Sequence, residues 1–147
     1  MSPSKRFKPV LRVAESNERN AAHQFGDSRR YMQEQQARLD ELRQYHNEYL
    51  ERFNTASRNG INAAQLREYQ AFLAKLDLAI KEQESVVQAS DKNQSEKKEV
   101  WQQKHIRSKV LDNVMRRYQA EEQRAMEKRE QKEADERSQR RHPSREP

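Results

Sequence analysis

The sequence predicts an all-α protein: a long antiparallel two-helix coiled-coil hairpin with a frayed, charged C-terminal tail. Three observations carry this. First, only 32% of the 147 residues are hydrophobic while 37% are charged. That is too little apolar surface for a broad core but suits a narrow seam between long helices. Second, the apolar residues on each side of the chain's middle recur at alternating steps of four and three, the rhythm of a coiled-coil stripe. Third, one interruption, Asn59-Gly60 within "RFNTASRNGINAAQLREYQAFL", separates the two periodic segments.

Residues 1–6 are expected to be disordered, and the first helix to cover 7–55. Its seam runs Phe7, Leu11, Ala14, Glu18, Ala21, Phe25, Ser28, Met32, Gln35, Leu39, Leu42, His46, Tyr49, Phe53. Pro9 is tolerated only in a first helical turn, where its missing N–H has no helical partner, so the regular helix starts near residues 7–10. Gly26 costs about 1 kcal/mol relative to Ala inside a helix, a local weakness and not a break. Residues 56–62 form the turn. Asn62 and Gln65 have the spacing of a capping box and restart the helix.

The second helix is expected over 63–130, with a seam at Tyr69, Leu73, Leu76, Ile80, Gln83, Val87, Ser90, Gln94, Lys97, Trp101, Lys104, Ser108, Leu111, Met115, Tyr118. The short link folds the helices back antiparallel. If Phe53 opposes Tyr69, facing seam residues have numbers summing to 122, which sets Ala21 against Trp101, Phe7 against Met115 and Glu18 against Lys104. Small then faces large, as close packing prefers. The partly polar stretch around Ser90, Gln94 and Lys97 predicts higher mobility than near the turn. Residues 131–147 hold almost no apolar side chain and are expected to be frayed or disordered.

In heptad letters the seam residues are a and d, flanked by e and g. In an antiparallel pair, the g positions of both helices line one edge and the e positions the other. Near the turn the e edge holds Gln36, Arg43, Leu50, Gln70, Asp77 and Glu84, an ordinary solvated surface. The g edge holds Arg38, Tyr45, Phe72 and Ala79, beside the seam residues Leu42, Tyr49 and Leu76. Aromatics grouped on a rigid edge have the character of an interface anchor. The competing reading is that Tyr45 and Phe72 only widen the seam.

The net charge of +6 favours acidic partners. Basic and acidic residues are interspersed, however: 11 and 8 in residues 1–60, 11 and 8 in 61–120, and 8 and 8 in 121–147. That is the pattern of a solvated helix surface. With Gly26 and Gly60 alone there is no phosphate-binding loop. The absence of cysteine excludes a disulfide scaffold and a thiolate metal site. His23, His46, His105 and His142 form no His-x3-His pair, and no nucleophile arrangement suits two straight helices. The chain is therefore expected to be a non-enzymatic binding protein without cofactor, metal or small-molecule substrate. No stretch approaches the roughly 20 apolar residues of a membrane span, and "MSPSKRFKPVLRVAES" lacks the apolar core of a secretion signal, so a soluble, intracellular protein is expected.

The segment Tyr45–Ile80, "YHNEYLERFNTASRNGINAAQLREYQAFLAKLDLAI", resembles the flagellar FliJ family in Tyr45, Glu48 and Tyr49, Asn54, Asn59-Gly60-Ile61, Tyr69-Gln70-x-Phe72 and Leu76 to Ile80. The resemblance implies a small cytoplasmic component of the flagellar type III protein-export apparatus, an antiparallel coiled coil similar to the stalk of rotary ATPases. It implies that the helix termini enter the ring of the export ATPase FliI, promoting its assembly and activity. It also implies that the region near the turn contacts the export-gate protein FlhA, and that empty export chaperones are bound and recycled. Such a protein sits peripherally on the cytoplasmic face of the inner membrane at the flagellar base. Carried over by position, the gate-binding set is Arg38, Leu42, Tyr45, Tyr49, Phe72, Leu76, Ala79 and Gln83. Arg12, Arg116 and Arg117 are candidates for the ATPase contact. The alternatives are a basic coiled coil that binds nucleic acid and the stalk protein of a virulence type III secretion system.

Overall fold

The structure is a computed structural model and describes residues 2–141. Two α-helices and no strand occur among the described residues: α1 (Pro3–Asn59) and α2 (Ala63–Arg141). They pack against each other as the expected antiparallel hairpin. Every residue of the two predicted seams is buried or half-buried. No described helix is long and apolar enough to cross a membrane.

The turn is short because both of its ends are capped by local chemistry. α1 ends at Asn59, and Gly60 takes a φ of +87°, a left-handed conformation that a Cβ would strain. The Gly60 N–H donates to the Ser57 carbonyl at 3.4 Å. The Asn62 side-chain oxygen accepts from the Gln65 N–H at 2.8 Å, and the Gln65 side-chain oxygen accepts from the Asn62 N–H at 3.2 Å. This reciprocal capping box satisfies two otherwise orphaned donors. The expected turn of 56–62 thus contracts to residues 60–62.

Helix ends elsewhere differ from expectation. α1 begins at Pro3, not near residue 7. The Ser2 carbonyl accepts from the Arg6 N–H at 3.2 Å and the Ser2 hydroxyl from the Lys5 N–H at 3.4 Å, so Ser2 caps and Pro3 takes the first helical position. Glu122 of α2 adds a second cap. Its carboxylate accepts from the Ser4 N–H at 3.0 Å and the Ser4 hydroxyl at 2.6 Å, at the positive end of the α1 dipole. Pro9 consequently lies inside α1. It leaves the Lys5 carbonyl without its helical donor, but Lys5 and Pro9 are both exposed, so water can serve. At the other end α2 runs to Arg141, beyond the expected 130. No described residue after Glu122 is buried; contacts one turn apart remain, Gln123 with Glu127 at 3.3 Å and the Arg137 guanidinium with the Glu133 carbonyl at 3.4 Å. Glu133 precedes Arg137, and Glu136 precedes Arg140, by one turn in the favourable order. Arg140 and Arg141 occupy the last turn, facing the negative end of the dipole. The remaining tail, 142–147, and Met1 lie outside the described residues.

The chain divides into two compact units: a turn unit, Ala21–Trp101, and a terminal unit joining Met1–Asn20 to Gln102–Pro147. In the turn unit, Phe53 and Tyr69 face each other with ring centroids 5.4 Å apart, the pairing from which the register of 122 was built. Trp101 stacks on Phe25 at 6.0 Å, one turn along from the buried Ala21. In the terminal unit Phe7 meets Tyr118 edge-on at 5.7 Å where Met115 was expected, and Glu18 meets His105 where Lys104 was expected. These offsets share a cause. Helical side chains lean toward their own N-terminus, so in the terminal unit these two α1 residues reach partners slightly further along α2 than a flat register places them.

The middle of the turn unit is held by polar groups. Ser28 and Ser90 are buried and donate to backbone carbonyls one turn back, at 2.7 Å and 2.9 Å. Gln83 donates to both the carbonyl and the side-chain oxygen of Gln35, each at 2.9 Å. The side-chain oxygen of Gln94 is buried with no hydrogen-bond partner among the described residues.

Candidate functional site

The turn unit brings the predicted aromatic residues into one chain of contacts. From the turn outward, Phe53 meets Tyr69, and Tyr69 meets Tyr49 at 5.4 Å. Tyr49 and Phe72 approach to 4.3 Å, and Phe72 meets Tyr45 edge-to-face at 5.9 Å. Each such pair is worth about 0.5–1.5 kcal/mol beyond its buried area. Leu76 is buried beneath them, and Tyr45, at the outer end, remains 45% exposed. The two g-edge aromatics therefore differ. Phe72 is half-buried against Tyr49 and belongs to the packing; Tyr45 is supported on one side and open on the other.

Below Tyr45 the edge opens into a groove of about 450 Å³ lined by Arg38, Glu41, Leu42, Tyr45 and Gln83. Four of these five were singled out in the sequence. Glu41 was not, although it stands one turn from both Arg38 and Tyr45 on the same side. Tyr31 and Val86 were also missed. Both are exposed and both occupy g positions, so the same heptad phase marks them. Ala79 is half-buried along this edge. A larger depression of about 600 Å³ lies beside the turn, lined by Glu48, Glu51, Arg52, Asn59 and Tyr69 among others, and contains none of the residues predicted for the gate or ATPase contact.

The opposite, e edge of the turn unit is closed by polar pairs across the helices. Arg43 pairs with Glu84 at 3.2 Å, and His46 Nε2 lies 2.9 Å from Asp77 Oδ1. Leu50 is exposed there without an aromatic neighbour on its own edge.

In the terminal unit, Arg12, Arg116 and Arg117 are all exposed. They do not form one cluster. Heptad phase sets Arg12 and Arg116 on the e side and Arg117 on the g side, and Arg116 is paired with Asp112 at 3.1 Å. Two carboxylates tie the helices together here. Glu18 lies 2.5 Å from His105 Nδ1, and this hydrogen bond, helped by Ser108 and by the charges of His105 and Lys109, holds its carboxyl below the usual range. Glu122 is held low by the hydroxyl and N–H of Ser4, with Lys5 adding a smaller effect. These groups clasp one helix to the other.

Residues 3–146, nearly the whole chain, match the family described as Flagellar FliJ protein. No curated protein and no solved structure matches the chain. The chain belongs to the FliJ family and is a flagellar export-related protein.

Proposed function

From that membership we propose that the chain acts as a stalk-like coiled coil in the ring of the export ATPase FliI. In this role it promotes assembly and activity of the ring, couples it to the export-gate protein FlhA, and escorts or recycles export chaperones. It does so in the cytoplasm, held peripherally at the inner membrane by these partners. The observation that carries the gate contact is the half-supported Tyr45 above the groove of Arg38, Leu42 and Gln83. An aromatic ring already ordered by Phe72 and Tyr49 loses little freedom on binding and offers a large apolar face, which is how interface anchors work. Tyr49, Phe72, Leu76 and Ala79 hold that anchor in place. The ATPase contact is assigned to the terminal unit, with Arg12, Arg116 and Arg117 meeting acidic side chains of the ring.

The test is calorimetric titration of the full chain against the soluble domain of FlhA, and separately against FliI. Tyr45→Ala should weaken FlhA binding by roughly 2 kcal/mol, the loss typical of a hot spot, at unchanged helicity and unchanged FliI binding. Unaltered FlhA affinity refutes the gate assignment. Loss of FliI binding in Arg12→Ala/Arg116→Ala/Arg117→Ala tests the ATPase contact independently.

A further inference from the structure

The terminal unit carries its own apolar edge, far in sequence from Tyr45 and with no role in the reading above. Val10, Val13, Ile106 and Val110 are all exposed, Val13 and Ile106 by 61% and 62%. They share a side. Val10 is at g and Val13 at c on α1; Val110 at c, Val114 at g and Ile106 at f on α2 continue the same flank. The contacts Glu18–His105, Phe7–Tyr118 and Ser4–Glu122 fix the local register, and it sets Val10 across from Val114 and Val13 across from Val110. Two rows of branched aliphatic side chains thus border a shallow trough between two helices. A depression of about 280 Å³ lined by Pro3, Arg6, Phe7 and Tyr118 closes one end.

The charges on this flank have one sign. Arg6, Arg107 and Arg117 are exposed at c or g positions, and none makes an ion pair among the described residues. No carboxylate shares the flank between Arg107 and Arg117 on α2, or between Arg6 and Asn20 on α1. Glu121 follows one turn beyond Arg117. The e side, by contrast, mixes Lys8, Glu15, Arg19, His105, Lys109 and Asp112. A trough between helices accepts a third helix by the packing that forms helical bundles. Unpaired guanidinium groups around it select carboxylates on that helix and disfavour a second copy of the same basic flank.

We propose that the Val10–Val13–Val110 edge of the terminal unit docks an acidic amphipathic helix of a partner protein, forming a three-helix bundle with α1 and α2. This does not rest on the gate reading; it uses the flank opposite to Arg12 and Arg116 and shares only Arg117 with the proposed ATPase contact.

The experiment uses the full chain and two labelled synthetic helical peptides of about three heptads, with Leu at a and d and either Glu or Lys at e and g. Fluorescence anisotropy should show the Glu peptide binding at least about tenfold more tightly than the Lys peptide, with affinity falling as salt rises. Val13→Ser with Val110→Ser should weaken the Glu peptide about tenfold, and Arg107→Glu with Arg117→Glu should reverse the preference between peptides. All four positions are exposed, so helicity serves as the folding control. Equal affinity for both peptides overturns the proposal, as does binding indifferent to Val13 and Val110. Binding that is lost in Tyr45→Ala would place the peptide on the turn unit and also overturn it. So would sedimentation showing self-association of the chain that Val13→Ser/Val110→Ser abolishes, since a second copy would then be the occupant.

Discussion

The two edges of the turn unit are built on the same pair of helices and the same seam, yet they dispose of their side chains differently. Along the e edge, polar groups find each other across the helices: Arg43 with Glu84 and His46 with Asp77. Along the g edge, Tyr45 leans on Phe72 and presents its other face to solvent, and no cross-helix ion pair closes it. One edge is finished within the chain; the other is ordered but unfinished. A coiled coil needs only its seam to fold, so flanking positions record what else the helices must meet. Mixed charge there suits water, while ordered and half-exposed aromatics have the character of an interface anchor.

That contrast can be broken or sharpened by substitution. The largest effect on stability is expected at Phe72. Phe72→Ala removes the ring packed at 4.3 Å from Tyr49 and should cost about 2 kcal/mol in a denaturant melt, below the roughly 3–5 kcal/mol of a fully buried ring. Tyr45→Ala should cost well under half of that. Equal costs would make both aromatics seam packing and dissolve the distinction between the edges. Next is acidification. The Glu18 carboxyl is held low in the folded chain, so its ionised form contributes stability that is present above the usual carboxylate range and lost as pH falls through the folded value. Thermal melts from pH 7 to pH 3 should fall steeply in the parent chain and less in Glu18→Gln, with hydrogen exchange locating the loss in the terminal unit. An unchanged pH profile in the variant would remove Glu18 from the account.

Smaller effects belong to the middle of the turn unit. Gln94 carries a buried oxygen without a partner among the described residues, so Gln94→Leu should raise stability by about 1–2 kcal/mol. A Cβ built on Gly26 would meet nothing within 4 Å and its φ is not left-handed. Gly26→Ala should therefore stabilise by about 1 kcal/mol at most, measured by the same denaturant melt.

Much of this fold is legible in the sequence because a seam is periodic. Every residue that steps of three and four selected from Phe7 to Tyr118 is buried or half-buried, and Asn62 with Gln65 announced the helix restart. The helix ends were less legible. Pro9 argued for a start near residue 7, a purely local rule, whereas α1 is capped by Ser2 nearby and by Glu122, which lies more than a hundred residues away in the chain. The persistence of α2 past 130 escapes the same reading for the opposite reason: apolar periodicity cannot report a helical stretch that buries no apolar side chain. In the candidate site, g-position phase found Tyr45 and Phe72 but could not tell which one faces solvent, since that depends on ring orientation. Tyr31 and Val86 obey the same phase and are exposed, but they lie further from the turn than the motif that carries the family resemblance, so phase alone marks them.

The most direct test sets the edges against each other in one titration series with the soluble domain of FlhA. Tyr45→Ala on the g edge and Leu50→Ala on the e edge each truncate one exposed side chain without breaking a cross-helix ion pair. Calorimetry should show Tyr45→Ala weakening binding by more than about tenfold while Leu50→Ala leaves it within about twofold of the parent. Equal losses, or a larger loss at Leu50, would contradict the assignment of the partner surface to the g edge.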